Sequence, residues 1–194
     1  MFYFQYARCA FHSLYAARRA HQEAAVVSRT TIADLANVTR THSSTIPVDI
    51  YRIIRAHGIG IHCIKASSKF SGLYVRVEGV PVILLNTRDA PTRRRFTAAH
   101  ELYHHLSYTD GSTELRPLFY SVRERELSAP EIIEERQANR FAAALLMPDS
   151  AVKDMAREGL SPAQMARRFG VSVEAMEIRL KNLGLLRKTT RRCR

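Results

Sequence analysis

The fold turns on Arg94-Arg95-Phe96-Thr97-Ala98-Ala99-His100-Glu101-Leu102-Tyr103-His104. His100 and His104 lie four residues apart, which on an α-helix is about 400° of rotation and about one pitch of rise. Their imidazoles therefore leave one helix face at neighbouring heights, close enough to grip one ion. Glu101 is turned about 100° from His100. It does not ligate the same ion naturally but reaches a water beside it. Two ligands and one general base is the division of labour that the HExxH spacing encodes. Phe96, Ala99, Leu102 and Leu106 give this helix an apolar stripe. A histidine pair on such a helix carries the cost of buried polar groups unless it is partnered, and a metal removes that cost.

Working upstream, Pro91 suits the first turn of the metal-binding helix, which runs to about Tyr108. Before it stand three strand-like stretches: Ile59 to Lys65, Gly72 to Glu78 with Leu73, Val75 and Val77 on one face, and the apolar run Val80 to Leu85. Glu78-Gly79 makes a tight turn between the last two. A small three-stranded antiparallel sheet is expected. Pro47-Val48-Asp49-Ile50 opens an earlier helix that His57-Gly58 closes.

Downstream, residues 109 to 128 read as a long polar loop, and a second strong helix runs from about Pro130 to Met147. It supplies a candidate for the third ligand that a catalytic zinc site needs. Glu135, Asn139, Ala142 and Leu146 share one stripe, so Glu135 is the favoured ligand. Asn139 is then placed to bond the outer nitrogen of a ligating histidine. Glu134 is the alternative, and first-turn acids favoured by the helix dipole are the plain reading of both glutamates. Short helices follow over 150 to 157, 162 to 169 and 173 to 183. Ser161 with Gln164 forms a capping box, and Gly170 is the matching C-terminal cap. An α+β chain is expected.

The two helical motifs, the second being Glu135-Arg136-Gln137-Ala138-Asn139-Arg140-Phe141-Ala142-Ala143-Ala144-Leu145-Leu146-Met147-Pro148, resemble the ImmA/IrrE family of metallo-endopeptidases. Pro47-Val48-Asp49-Ile50, Ser71-Gly72, Ile83 to Asn86 and Ala166 to Leu186 extend the likeness over roughly residues 45 to 186. The resemblance implies a zincin-like fold and a third ligand at Glu135. It also implies an intracellular peptidase whose protein substrate is a helix-turn-helix repressor controlling stress or mobile-element genes. Tyr103 departs from the family, which usually has Gly there; the change removes no ligand.

The division expected is an N-terminal helical extension over 1–44, the peptidase domain over 45–149, a helix-turn-helix-like subdomain over 150–186 and a basic tail over 187–194. Zinc is the expected cofactor, with Mn2+ or Fe2+ compatible with a His2Glu donor set. Catalysis would pass through Glu101 as general base. Tyr74, Tyr108, Tyr120 and His105 are the candidates for a further oxyanion donor.

Composition bears on the rival readings. Of 194 residues, 46% are apolar, enough for a real core, while 30 Lys and Arg against 18 Asp and Glu give a net charge of +12. Such a charge, with the Gly-turned helix pair over residues 161 to 186, raises a DNA-binding transcriptional regulator as the alternative function. Against it, much of the excess sits in the tail and in Arg93 to Arg95, and the recognition-helix positions Glu174 and Glu177 are acidic. Three separated cysteines without CxxC spacing exclude a disulfide scaffold and fit the reducing cytoplasm. No apolar run approaches the roughly 20 residues of a membrane span, and no membrane association is expected.

Overall fold

The computed structural model describes residues 45–77, 79–107 and 129–185. The expected N-terminal extension, basic tail and polar loop over 109 to 128 fall outside them. Asp49 caps α1 (Ile50–Ala56), its carboxylate accepting the Arg52 N–H at 3.0 Å. Isoleucines at positions 50, 53 and 54 line the buried side of that helix. Gly58, at φ +69°, turns the chain into β1.

Three strands follow, β1 (Gly60–Ile64), β2 (Gly72–Val77) and β3 (Val80–Asn86), in the spatial order β1-β3-β2. The wholly antiparallel sheet expected from the sequence is corrected here: β2 pairs antiparallel with β3, but β1 pairs parallel with it. The most apolar strand, β3, takes the centre because only a central strand of a covered sheet buries both faces; Pro81 to Asn86 are all buried. Ile64 at the end of β1 lies opposite Asn86, and Gly72 at the start of β2 lies opposite Leu85. Residues 65–71 must therefore cross the C-terminal end of β3.

Asn86 holds that crossing. It is fully buried. Its Oδ1 accepts the Ala66 and Arg88 N–H groups, each at 3.1 Å, and its Nδ2 donates to Ser67 O at 2.9 Å and Phe70 O at 2.8 Å. A short polar side chain thus satisfies backbone groups that the crossing would otherwise bury unpaired.

On β2, Leu73, Val75 and Val77 share one face as expected, and the structure shows which face is buried. The buried face carries Gly72 and Tyr74, while Leu73, Val75 and Val77 are only half-buried on the other side. The reason is α2 (Pro91–Ser107), which packs on that face of the sheet. It comes so close that a Cβ at Gly72 would stand 2.3 Å from Thr97 Cγ2.

Then come α3 (Ala129–Leu146), α4 (Asp149–Arg157), α5 (Pro162–Phe169) and α6 (Val173–Asn182). The Ser161–Gln164 capping box forms at the start of α5, and Gly170 ends it in the left-handed conformation at φ +65°. One apolar cluster runs from Ile54, Leu85 and Leu102 through Leu145 and Leu146 into Phe169, Met176 and Leu180. Arg95 stitches the same regions with polar bonds, donating to Val48 O at 2.8 Å and to Gly170 O at 3.1 Å. Arg179 donates to Met147 O at 3.0 Å and pairs with Asp149. The result is an α+β, zincin-like arrangement. No helix among the described residues is long and apolar enough to cross a membrane.

Candidate metal centre

Because α2 is amphipathic, its inner face must pack on the sheet and α3, and this carries the polar residues of its C-terminal half inward. His100, Glu101 and His104 are all buried, at 8%, 0% and 2% exposure. Across from them, α3 presents Glu135. His100 Nε2 and His104 Nε2 stand 3.1 Å apart. Glu135 Oε2 lies 3.3 Å from the first and Oε1 lies 3.5 Å from the second. An ion bonded at about 2.0–2.1 Å in a tetrahedron holds its ligands about 3.3–3.4 Å apart. The spacing on this chain has the dimensions of such a shell, and the two-imidazole, one-carboxylate donor set fits a divalent cation.

The outer nitrogens of both histidines are also engaged. His100 Nδ1 lies 3.1 Å from Asn139 Oδ1, so it donates there and directs the Nε2 lone pair into the site. His104 Nδ1 lies 3.4 Å from Glu134 Oε1. Of the two adjacent glutamates, then, Glu135 reaches the inner nitrogens and Glu134 an outer one. Glu134, which helix spacing alone leaves as a rival ligand or a solvated acid, takes neither place. Tyr103 donates to Gln137 Oε1 at 2.7 Å, and its ring stands edge-on to His104 with centroids 5.7 Å apart. The bulk at this position therefore fills the α2–α3 seam. Gln137 carried no signal beyond its place two residues past Glu135.

The charges respond to this crowding. Burial lowers the His104 pKa, but hydrogen bonds to Glu134 and Glu135 outweigh it and push the value up to about 9. Burial raises Glu135, and its bonds to His100 and His104 more than reverse that, pulling it to about 2. A proton on His104 here occupies the place of a cation, and metal binding must displace it.

Glu101 behaves differently. Burial holds its pKa above the ordinary carboxylate range, against the downward pull of His100, His104 and a backbone bond. That bond is the Tyr74 N–H, which donates to Glu101 Oε2 at 3.0 Å. The other oxygen, Oε1, is buried with no hydrogen-bond partner. An unsatisfied buried carboxylate oxygen is uncommon and costly; beside a candidate metal shell it is placed to take a proton from water.

A cavity of about 540 Å³ opens from this centre, with His100, Glu101 and Glu135 in its lining. Tyr74 and His105 are not in that lining. They bond to each other, His105 Nδ1 lying 3.0 Å from the Tyr74 hydroxyl, and so the structure does not bring either to the site as an oxyanion donor. Tyr108 and Tyr120 lie outside the described residues.

Comparison with known proteins agrees with this geometry. The sequence profile of peptidase family M78, the IrrE N-terminal-like domain, matches residues 55–181. The chain is 38% identical over 95 residues to the radiation response metalloprotease IrrE of Deinococcus deserti, covering 47% of this chain and 32% of that protein. With the protein of the same name from Deinococcus radiodurans it shares 34% identity over 98 residues, covering 48% and 29%. The matches thus span about a third of the length of these curated relatives. Among solved structures, a Mycobacterium tuberculosis transcriptional regulator superimposes with a TM-score of 0.52 at 21% identity, over 78% of this chain and 47% of that one, a likeness of fold. The chain belongs to the M78 family of metallopeptidases, the IrrE N-terminal-like domain.

Proposed function

We propose that this chain is a zinc-dependent endopeptidase acting on a protein substrate. The observation that carries the reading is the convergence of His100, His104 and Glu135 beside a buried carboxylate, Glu101, with one free oxygen. His100, His104 and Glu135 would hold the ion, with Asn139 and Glu134 orienting the imidazoles. A bound divalent ion supplies Lewis acidity that polarises a peptide carbonyl and makes water a stronger acid.

The chain's own residues then move the proton. Glu101 Oε1 accepts it from the attacking water as the C–O bond forms. The raised pKa of Glu101 suits an acceptor that must hold this proton and release it. As the C–N bond breaks, the same oxygen returns the proton to the leaving amine. Tyr74 N–H keeps the other oxygen fixed, so that the carboxylate does not swing to the histidines.

The finer reading names the substrate. The family resemblance supports a helix-turn-helix transcriptional repressor, cleaved in the cytoplasm, and the relatives named radiation response metalloproteases support a stress response as its setting. DNA binding by the α5–α6 pair is the weaker reading, because α6 turns Glu174 to the cavity and carries Glu177 exposed, where phosphate contacts require basic groups.

The test is metal analysis beside proteolysis. Purified protein should carry about one equivalent of zinc, and a chelator should abolish its cleavage of a helix-turn-helix repressor offered as substrate. Glu135→Ala should lose the metal. If Glu135→Ala retains zinc and cleaves at the wild-type rate, the proposed centre is wrong.

A further inference from the structure

The hydrolytic reading gives no task to α6, yet this helix is built with two working stripes. Met176 and Leu180 are buried in the common core. On another side of α6, Glu174, Ala175 and Ile178 line the cavity that holds His100, Glu101 and Glu135. Glu174, Ala175 and Ile178, at i, i+1 and i+4, share one side of the helix, and Val171 and Ser172 reach the same cavity from the turn that precedes it. The direction of α6 is set locally, by the left-handed Gly170 and by Ser172, whose hydroxyl accepts the Ala175 N–H at 3.1 Å. Ile178 is 53% exposed. An aliphatic side chain left that open on a cleft wall has surface to offer to an occupant. On the α2 side, the same cavity is lined by Phe96 and Arg93.

Resting on the peptidase reading above, we infer that α6 is the specificity wall of the substrate cleft. Ala175 and Ile178, with Phe96 from α2, receive an apolar side chain of the bound peptide next to the scissile bond. Glu174 favours a basic residue beside it, and Arg93 on the α2 side repels one there. The occupant is a peptide and not a nucleic acid, because the carboxylates of Glu101, Glu135 and Glu174 in the cavity lining outweigh the guanidinium of Arg93 and repel phosphate. The helix pair thus acts in substrate choice through the same fold that holds the metal.

The experiment is cleavage of a peptide library by the full chain loaded with zinc, comparing wild type, Ile178→Asp and Glu174→Lys, with zinc content measured for each. Both positions are exposed, so neither substitution disturbs the core. Wild type should select an apolar residue at one position next to the cut and a basic residue near it. Ile178→Asp should lower kcat/KM for peptides bearing the apolar residue about tenfold or more, more than for peptides lacking it, and so flatten the preference, at unchanged zinc content. Glu174→Lys should move the charge preference from basic to acidic. If both variants keep the wild-type preferences and rates, the inference is overturned while the peptidase reading stands. If zinc-loaded wild type cleaves no peptide and no repressor, the peptidase reading falls, and this inference with it.

Discussion

Glu101 Oε2 accepts the backbone N–H of Tyr74 at 3.0 Å, and this bond ties a buried carboxylate on the metal-binding helix to an edge strand of the sheet. In the β2–β3 ladder, Ser71 O accepts from Asn86 N, so the alternation along β2 leaves the Tyr74 N–H pointing away from β3. The sheet thus donates a hydrogen bond that a water would otherwise make. One oxygen is fixed and the other is left for chemistry.

The first prediction follows from that asymmetry. Glu101→Gln keeps an acceptor for Tyr74 but removes a charge whose burial holds its pKa high. A group with a raised folded pKa destabilises the fold above that pKa. At pH 7.5 with chelator, Glu101→Gln should therefore melt no lower than wild type. Reloaded with zinc, it should lose about 10²–10⁴-fold in cleavage rate. Thermal melting and peptide hydrolysis on the same preparations check both halves. A variant that cleaves at the wild-type rate disproves Glu101 as the base.

Gly72 makes the close approach of β2 to α2 possible. With a Cβ, it would meet Thr97 Cγ2 at 2.3 Å and Leu84 O at 3.0 Å. Gly72→Ala should cost about 1–3 kcal/mol through overpacking. It should also lower activity, because pushing β2 from α2 draws Tyr74 N–H away from Glu101. Adding Thr97→Ser removes the struck methyl and should recover part of the loss, a coupling that urea denaturation of the single and double variants reads directly. Strict additivity would show that the clash is relieved elsewhere.

His105 predicts a pH dependence with a definite sign. Burial, then the charges of His57 and Arg76, lower its pKa to about 4. The unfolded chain takes up that proton near 6.5 and the folded one does not, so stability is present above about 6.5 and lost as pH falls towards 4. The loss attributable to this one group is bounded at about 3 kcal/mol. His105→Gln, measured in chelator, should show a shallower decline of melting temperature between pH 6.5 and 4 than wild type. His104 does not confuse the window, since its raised value places its own change between about 6.5 and 9. Equal slopes for the two proteins would show that His105 titrates freely.

How far was this legible in the amino-acid sequence? Helix spacing placed His100 and His104 together, and the stripe through Ala142 and Leu146 brought Glu135 and Asn139 to the same side, because both inferences need only local periodicity. Caps at Asp49, Ser161 and Gly170 are equally local. The parallel pairing of β1 was not legible, since strand direction depends on a crossing held by Asn86 over a separation of up to 20 residues. Nor was the face of β2, where Tyr74 is buried and the aliphatic residues are not, because α2 and not hydropathy selects that face. Glu134 and the cavity stripe of α6 were likewise hidden: each is a meeting of distant elements, and nothing in the local pattern separates them from solvated positions.

Arg95 offers the sharpest test of whether α5 and α6 belong to the catalytic fold. Its guanidinium donates to Val48 O, Gly170 O and, at 3.5 Å, Phe169 O, joining the approach to α1 to the end of α5. Hydrogen bonds from a charged donor are worth about 1.5–3 kcal/mol each, and their carbonyl partners lose a donor when it is removed. Arg95→Met keeps much of the aliphatic stem but none of the bonds. It should destabilise the protein by about 2–4 kcal/mol, and the amides of residues 162–182 should exchange faster than those of α2 and α3. Because α6 forms a cavity wall, substrate affinity should weaken while zinc content holds. If residues 162–182 keep their protection and KM is unchanged in Arg95→Met, the apolar contacts of Phe169 and Met176 hold the helix pair in place unaided, and the guanidinium is not the clasp that the geometry makes it.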